Sequence, residues 1–589
     1  MKGPLPKAIN LTTQSKPTTP PKFSPIPATQ LIKFYTDKGL LKEARDVFDE
    51  TLERDVVTWT AMIAGYVSHG HHEHAWAMFV DMIKVGQGPN AFTISSVLKA
   101  CKGMGCGQRG ALAHGLAVKN GVDGSMHVGN ALLDVYATCG GSMDNACMVF
   151  DGILARTAIT WTTMIAGYTR RGDGYAGIQT FRRMLQEGVE LNPFSCSIAV
   201  RACASVGSLI LGQQIHSAAC KYGFEFNLPV ANSLVDMYCR CMCLPEAKQY
   251  FDEMHRRDLI TWNTLIAGFE RNGSHESLQL FSQMGSQDLD PNCFTFTSVA
   301  SACANLAVLN CGKQVHGAII RRGFSRNLAL ANALLDMYSK CGSIGDSCRI
   351  FNEMPQKDLL SWTSMMIGYG THGYGREAIE LFDQMVGSGI QPDRVVFMGV
   401  LSACSHTGLV NEGLKYFASM GIDYHIVPDQ EIYGCIVDML SRAGRVTEAY
   451  NLIERMPFEA DESVWGALLG ACKVHRNMDL GRLAAEKILD LRPKGAGTYV
   501  ILSNIYAADG KWGEFAATRR SMRGLGCRKE AGRSWIEMRN QVCSFVVGER
   551  TSPHLDIVYE ALEMLNRNMK LLQCESDSNC LLHDLEEGI

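Results

Sequence analysis

No two of the 22 cysteines stand as Cys-x-x-Cys, so the chain lacks the usual signature of a structural zinc site or a dithiol redox centre. Basic residues are not in excess: 56 Lys and Arg against 60 Asp and Glu leave a formal net charge of -4. That argues against a bulk electrostatic grip on nucleic acid, although a repeating protein can gather charge on one face without changing the total. Apolar runs are broken by Gly, Ser or charge well before the roughly 20 residues a membrane span needs. Neither a Gly-rich phosphate loop nor a Ser nucleophile elbow is present. Acidic residues are missing from the first 36 positions, which carry Lys2, Lys7, Lys16, Lys22 and Lys33 among many Ser, Thr and Pro. Such a start reads as an organelle-targeting leader over residues 1–24, with a disordered tail as the alternative. Its missing Arg and its prolines at 17, 20, 21, 25 and 27 argue against an amphipathic helix there.

What is present is a long period. One word recurs as VVTWTAMIAGY, AITWTTMIAGY, LITWNTLIAGF and LLSWTSMMIGY, with Trp59, Trp161, Trp262 and Trp362 spaced by 102, 101 and 100 residues. A second word ends in Ala-Cys and places Cys101, Cys203, Cys303 and Cys404 at spacings of 102, 100 and 101. A third (NALLDVYATCG, NSLVDMYCRCM, NALLDMYSKCG) begins at Asn130, Asn232 and Asn332. Three interleaved words on one period make a triplet, and each third is long enough for two short helices and their turns. In residues 56–90, Trp59, Met62, Ile63 and Tyr66 keep helical spacing, Gly70 punctuates, and Ala75, Met78, Phe79 and Met82 form a second stripe before Pro89. Neither stripe can bury itself, so stacked neighbours must supply the core. The recurrent Trp and Cys are therefore expected to be reduced core residues rather than stacking platforms or metal ligands.

The lengths and words together resemble the plant pentatricopeptide repeat proteins of the PLS class, in which P, L and S repeats alternate. By that register the repeats run 25–55 (S), 56–90 (P), 91–125 (L), 126–157 (S), 158–192 (P), 193–227 (L), 228–258 (S), 259–292 (P), 293–327 (L), 328–358 (S), 359–393 (P), 394–429 (L) and 430–461 (S). WGALLGACKVH and YVILSNIYAADGKW, then KEAGRSWIEM and VCSFVVGERTSPHLDIVYEALEML, resemble the family's E (462–532, two repeat-like units) and E+ (533–570) extensions. An acidic tail, 571–589, follows. The resemblance implies an all-α fold, a right-handed superhelical solenoid of helix-turn-helix repeats, that binds single-stranded organelle RNA one base per repeat.

In the family, two residues per repeat read the base: the fifth, on the first helix, and the last, before the next repeat. The chemistry of that pair is sound on its own terms. An ionised Asp can only accept, which suits the imino N–H of guanine or uracil, whereas Asn can donate to the ring acceptor of adenine or cytosine. Thr or Ser at the fifth position goes with purines in the family, and Asn with pyrimidines. Carried over, Thr29 with Asp55 implies G, Thr60 with Asn90 implies A, and Thr162 with Asn192 implies A. Asn232 with Asp258 and Asn332 with Asp358 each imply U, Asn263 with Asn292 implies C or U, and Thr363 with Asp393 implies G. Asn130 with Thr157 departs from the usual combinations and keeps only a pyrimidine preference. The L-type pairs and the last two repeats are left open, so the expected site is G-A-n-Y-A-n-U-Y-n-U-G-n-n. Second-position Val57, Ile159, Ile260 and Leu360 would wedge between successive bases. The competing reading is that these Asn, Asp, Ser and Thr are ordinary helix caps.

The E and E+ extensions are linked in the family to C-to-U editing, in which a member without a deaminase domain recruits one in trans. The expected partners are thus an RNA, a DYW-type cytidine deaminase and other editing factors, with no membrane, no small-molecule substrate, no cofactor and no metal. The chain is not expected to be an enzyme: His71-x-Glu73 lies among His69, His72 and His74 at a turn, and Cys574, Cys580 and His583 lack ligand spacing. The alternatives are an organelle RNA stability or splicing factor and a protein-binding solenoid of the tetratricopeptide type. The expected compartment is the mitochondrion, with the chloroplast second.

Overall fold

The computed structural model describes residues 25–139, 143–287, 289–475, 477–491, 497–508, 510–524, 533–538, 541–546, 559–565 and 567. The leader and the acidic tail lie outside them. Two compact units divide at Asn272 and Gly273. Both are built from helix pairs. In the first unit, Val56–Ser68 pairs with His72–Lys84 and Ala158–Arg170 with Gly174–Gln186. In the second, Leu328–Lys340 pairs with Ile344–Glu353 and Leu359–Thr371 with Gly375–Gly387. Within each unit a first helix packs against its own second helix and against the first helix of the next pair, so the core is a row rather than a ball.

The recurrent words are that core. Trp59, Trp161, Trp262 and Trp362 are buried, and each meets edge-on the Phe of the preceding second helix. The centroid distances are 4.8 Å to Phe48, 4.8 Å to Phe150, 4.8 Å to Phe251 and 5.1 Å to Phe351. Such pairs add about 0.5–1.5 kcal/mol to the area they bury. Cys101, Cys203, Cys303 and Cys404 are fully buried. Burial pushes the Cys101 and Cys203 thiols up to about 12 and Cys404 to about 11, so they stay protonated and inert.

Close approach between an L repeat and the following S repeat depends on glycine. A Cβ on Gly110 would stand 2.5 Å from Val135, and one on Gly212 or Gly312 would stand 2.4 Å from the sulfur of Met237 or Met337. The same helices are tied by a His–Tyr hydrogen bond: His114 Nδ1 to the Tyr136 hydroxyl (2.9 Å), His216 to Tyr238 (2.8 Å) and His316 to Tyr338 (3.0 Å).

The fold is all-α as expected, with one local exception. Arg533–Met538 and Gln541–Val546 form an antiparallel hairpin with Arg533 opposite Val546 and Met538 opposite Gln541. Both segments are short, with β-branched and aromatic residues and too few positions for a helical stripe, which favours strands.

Candidate nucleic-acid interface

The last residue of most repeats caps the helix that opens the next. Asp55, Asn90, Asn192, Asp258, Asn292, Asp358 and Asp393 sit in extended backbone, and each side chain accepts the backbone N–H three residues on. In most of them the third residue's hydroxyl closes a capping box; Thr157 does the same with Thr160. The ordinary capping role is therefore real, and it leaves room for a second one. In Asp55, Asp258 and Asp358 the bonds from the third residue all fall on Oδ1, so Oδ2 is the atom a base N–H could approach. For Asp258 and Asp358 burial raises the carboxyl pKa, but hydrogen bonds from Thr261 and Ser361 outweigh it and hold both below the usual carboxylate value. Both are acceptors only at neutral pH.

Fifth-position side chains lie deeper than the sequence implied. Thr162, Thr363, Asn332 and Asn263 are 1%, 4%, 5% and 6% exposed, while Thr29, Thr60, Asn130 and Asn232 are half-buried. The threonine hydroxyls donate to the carbonyl one turn back: Thr60 to Val56 (2.7 Å), Thr162 to Ala158 (2.8 Å) and Thr363 to Leu359 (2.7 Å). With the proton directed there, the Thr162 and Thr363 hydroxyls offer a ligand only their lone pairs, whereas Thr60 can also donate to Thr93 Oγ1, 2.7 Å away. Asn332 is fixed from both sides, donating from Nδ2 to Asp358 Oδ1 (3.1 Å) and accepting at Oδ1 from Ser361 Oγ (2.7 Å). Asn232 Oδ1 is buried with no hydrogen-bond partner among the described residues.

The second-position residues do the opposite. Val57, Ile159, Ile260 and Leu360 are 56–65% exposed although they are large and apolar. Sequence reasoning stopped at these four and missed the equivalents in the L repeats, Phe92, Phe194 and Phe294, which are 58–64% exposed. Their signal was available: the three phenylalanines keep the same period, spaced by 102 and 100 residues. The stripe and the reading positions meet in a cleft of about 460 Å3 in the first unit. Its lining includes the fifth residues of three successive repeats, Ser95, Asn130 and Thr162, and the second-position His127, Ile159 and Phe194. Lys99, Lys102 and Arg170 line it as well. A cleft with apolar walls, polar floor and cationic rim suits a planar heterocycle on an anionic backbone.

The cations were hidden in the sequence by the negative total. Several sit in the last turn of first helices, paired with an Asp one turn earlier or on the adjacent first helix. Lys102 meets Asp134 at 2.6 Å, Arg240 and Arg271 meet Asp236 at 2.8 and 2.7 Å, Lys340 meets Asp336 at 2.8 Å, and Arg442 meets Asp438 at 2.7 Å. Exposed pairs of this kind are worth about 0–1 kcal/mol, so an arriving phosphate could take over the cation cheaply.

The histidine cluster disperses into packing. His69 Nδ1 bonds Gly65 O at 2.9 Å, and His74 stacks on Tyr66 at 5.6 Å. Among the described residues no group of His, Cys, Asp and Glu is placed to hold a metal, and no helix is long and apolar enough to cross a membrane.

Stacked helix pairs that carry, on one repeat period, polar fifth–last pairs and exposed apolar second residues define a helical-repeat scaffold. Known proteins make the class specific. The PPR repeat model matches residues 28–56, 159–189, 230–259, 330–359, 360–390 and 431–459, a PPR repeat family model matches 54–103 and 257–305, and an E motif model matches 475–537. The chain is 54% identical over 574 residues to the pentatricopeptide repeat-containing protein At1g56570 of Arabidopsis thaliana, covering 97% of this chain and 94% of that one. It is 38% identical over 565 residues to the chloroplastic pentatricopeptide repeat-containing protein At1g11290 of the same plant, covering 95% and 70%. The crystal structure of the pentatricopeptide repeat protein PPR10 from maize shares the fold, with a TM-score of 0.51 at 18% identity over 85% of this chain and 79% of that one. The chain belongs to the pentatricopeptide repeat family.

Proposed function

We propose that this protein is a sequence-specific reader of single-stranded organelle RNA that marks C-to-U editing sites and recruits a DYW-type deaminase in trans. The observation that carries the reading is the recurrence, on the repeat period, of polar fifth–last pairs and of exposed apolar second residues in the P and L repeats. In this reading Val57, Ile159, Ile260 and Leu360 separate the bases, and the fifth residue and the cap read each base edge. A Thr hydroxyl that can only accept fits a purine amino group, and a capping Asp Oδ2 fits an imino N–H. The groove cations exchange their Asp partners for phosphates.

The match to the E motif over residues 475–537 supports the editing role over RNA stability or splicing. The solenoid then selects the RNA, residues 462–570 dock the deaminase, and the edited cytidine lies four nucleotides 3′ of the base facing the last S repeat. We place the protein in the mitochondrion, on its resemblance to the mitochondrial family member named for germination on salt. Relatives named chloroplastic make the plastid the second reading, which a fluorescent fusion decides.

Sequencing organelle transcripts after loss of the protein tests the whole proposal. Loss of editing at one or a few cytidines downstream of G-A-n-Y-A-n-U-Y-n-U-G-n-n supports it. Full editing with shortened or unspliced transcripts refutes the editing role, and unchanged transcripts in both organelles refute RNA reading.

A further inference from the structure

At four reading pairs, a side chain that belongs to neither member lies against both. It is the third residue of the following repeat, Thr58, Thr93, Thr160 or Ser361; Ser195, Thr261 and Thr295 hold the same place, and all seven are fully buried. On one side this residue completes the cap. Thr93 donates its backbone N–H to Asn90 Oδ1 (2.9 Å) and holds its hydroxyl 2.9 Å from the same atom, and Ser361 does the same with Asp358 Oδ1 at 2.9 and 2.8 Å, so the single hydroxyl proton is shared between the cap and the fifth residue. On the other side it reaches the fifth residue of the preceding repeat. Thr58 Oγ1 lies 3.0 Å from Thr29 Oγ1, and Thr93 Oγ1 lies 2.7 Å from Thr60 Oγ1. Thr160 Oγ1 donates to Asn130 Oδ1 at 2.9 Å, and Ser361 Oγ donates to Asn332 Oδ1 at 2.7 Å. One buried hydroxyl thus bridges side chains that lie 25 to 30 residues apart in sequence, in a water-poor slot where hydrogen bonds are strong and rotamers few.

The hydroxyl is not present at every junction, and its distribution is ordered. It follows S and P repeats. After every L repeat the third residue is aliphatic: Val128, Val230, Leu330 and Ile432. The P repeat that ends at Asp393 is the exception among reading repeats, because it is followed by Val396, and the Thr363 hydroxyl there donates to Leu359 O within its own helix. Aliphatic residues pack the slot equally well, since Val128, Val230 and Val396 are fully buried too. Packing alone therefore does not call for an oxygen.

We infer that the third-position hydroxyl is the positioning residue of base recognition. It locks the fifth and last side chains of the preceding repeat into reading geometry before a base arrives, and a repeat followed by an aliphatic third residue holds its pair unlocked. This deepens the base-reading assignment proposed above and rests on it. The L repeats then serve as spacers with a stacking Phe, because their pairs are not preorganised. Preorganisation of this kind raises discrimination by removing the ordering cost from the binding step.

The test uses the full chain and 13-nucleotide RNAs of the expected site, varied to all four bases at position 10, which faces Asn332 and Asp358, or at position 7, which faces Asn232 and Asp258. Ser361→Ala keeps the backbone N–H that caps the helix and removes the bridge together with the long 3.3 Å bond from the Asp358 N–H that closes the capping box. It should cut the preference for U at position 10 by about tenfold, the worth of one hydrogen bond, leave position 7 unchanged, and be rescued by Ser361→Thr. Val396→Thr, nearly isosteric, should raise the preference for G at position 11. A Ser361→Ala chain that keeps its U preference, or that loses affinity equally for all four bases, overturns the inference, as does a Val396→Thr chain that folds without gaining selectivity. No base preference at positions 7 and 10 in the unmodified chain overturns the base-reading assignment and the inference together.

Discussion

Asp236 holds two cations of adjacent first helices at once, and neutralising it is the most direct probe of how this acidic protein could bind a polyanion. Arg240 Nε and Arg271 Nη2 approach its two oxygens at 2.8 and 2.7 Å, with the Asp side chain 24% exposed and the arginines 46% and 39%. At that exposure each pair is worth about 0.2–1 kcal/mol. Asp236→Asn therefore lowers stability by no more than about 2 kcal/mol and relieves an arriving RNA of the same cost. At 1.4 kcal/mol per tenfold, the gain in affinity at low salt falls between about 2- and 30-fold. Two released cations should also steepen the dependence of log K on log salt by up to about 1.4, at roughly 0.7 per phosphate for a single strand. Fluorescence anisotropy at four salt concentrations, with the expected RNA and its scramble, reads both quantities. The gain must be the same for both RNAs, because phosphate contacts carry no sequence. An unchanged salt slope, or a gain confined to the expected sequence, refutes the view that Asp236 is a stand-in for phosphate.

Two further outcomes follow from the core. Trp161→Ala removes a fully buried ring packed on Phe150, and chemical denaturation should show a loss of about 3–5 kcal/mol in the unit that contains it. Acid should weaken the L–S junctions, because burial lowers the pKa of His114, His216 and His316, although nearby carboxylates oppose the shift. The folded protein takes up these protons less readily than the unfolded chain, so the stabilisation is complete above the ordinary histidine value and is lost as pH falls through it toward the folded value. Melting temperatures from pH 8 to pH 5 should decline accordingly, and the decline should shrink in a His216→Gln, His316→Gln double variant. An equal decline in that variant would place the acid sensitivity elsewhere.

Much of the architecture was legible because the strongest constraint on a solenoid is repetition. Trp59, Trp161, Trp262 and Trp362 declared the period and, by their helical spacing, their place inside. The same clarity hid the rest. Attention to the words around Trp left Phe92, Phe194 and Phe294 unread, although they share the period and stand out in solvent. A formal charge of -4 says nothing of Lys102 or Arg170, because local pairing with Asp134 or packing beside Thr138 is a matter of geometry. The third-position hydroxyls were invisible for another reason: Thr three residues after Asn or Asp is already explained by the capping box, and only distances reveal a second partner across the repeat boundary. The hairpin at 533–546 rests on two six-residue segments with no period at all.

The cap and the reader need not compete for the last position, and their compatibility makes a final prediction. Asn, Asp and Ser are close to equal as N-caps, and replacing one by Ala costs about 0.5–2 kcal/mol. Exchanging Asp for Asn costs only the helix-dipole difference, about 0.3–1 kcal/mol. Toward a base the same exchange inverts the chemistry, since an acceptor oxygen becomes a donor amide. Asp358 shows why the two roles separate: the bonds from Ser361 and from Asn332 Nδ2 fall on Oδ1, which an Asn retains, while Oδ2 alone changes its character. Asp358→Asn should thus leave the melting temperature within about 4 °C of the unmodified chain, while moving the preference at RNA position 10 from U toward C. Asp358→Ala should lose both stability and selectivity. If Asp358→Asn destabilised as strongly as Asp358→Ala, the carboxylate charge rather than the cap geometry would be holding the helix, and specificity could not drift at this position without cost to the fold.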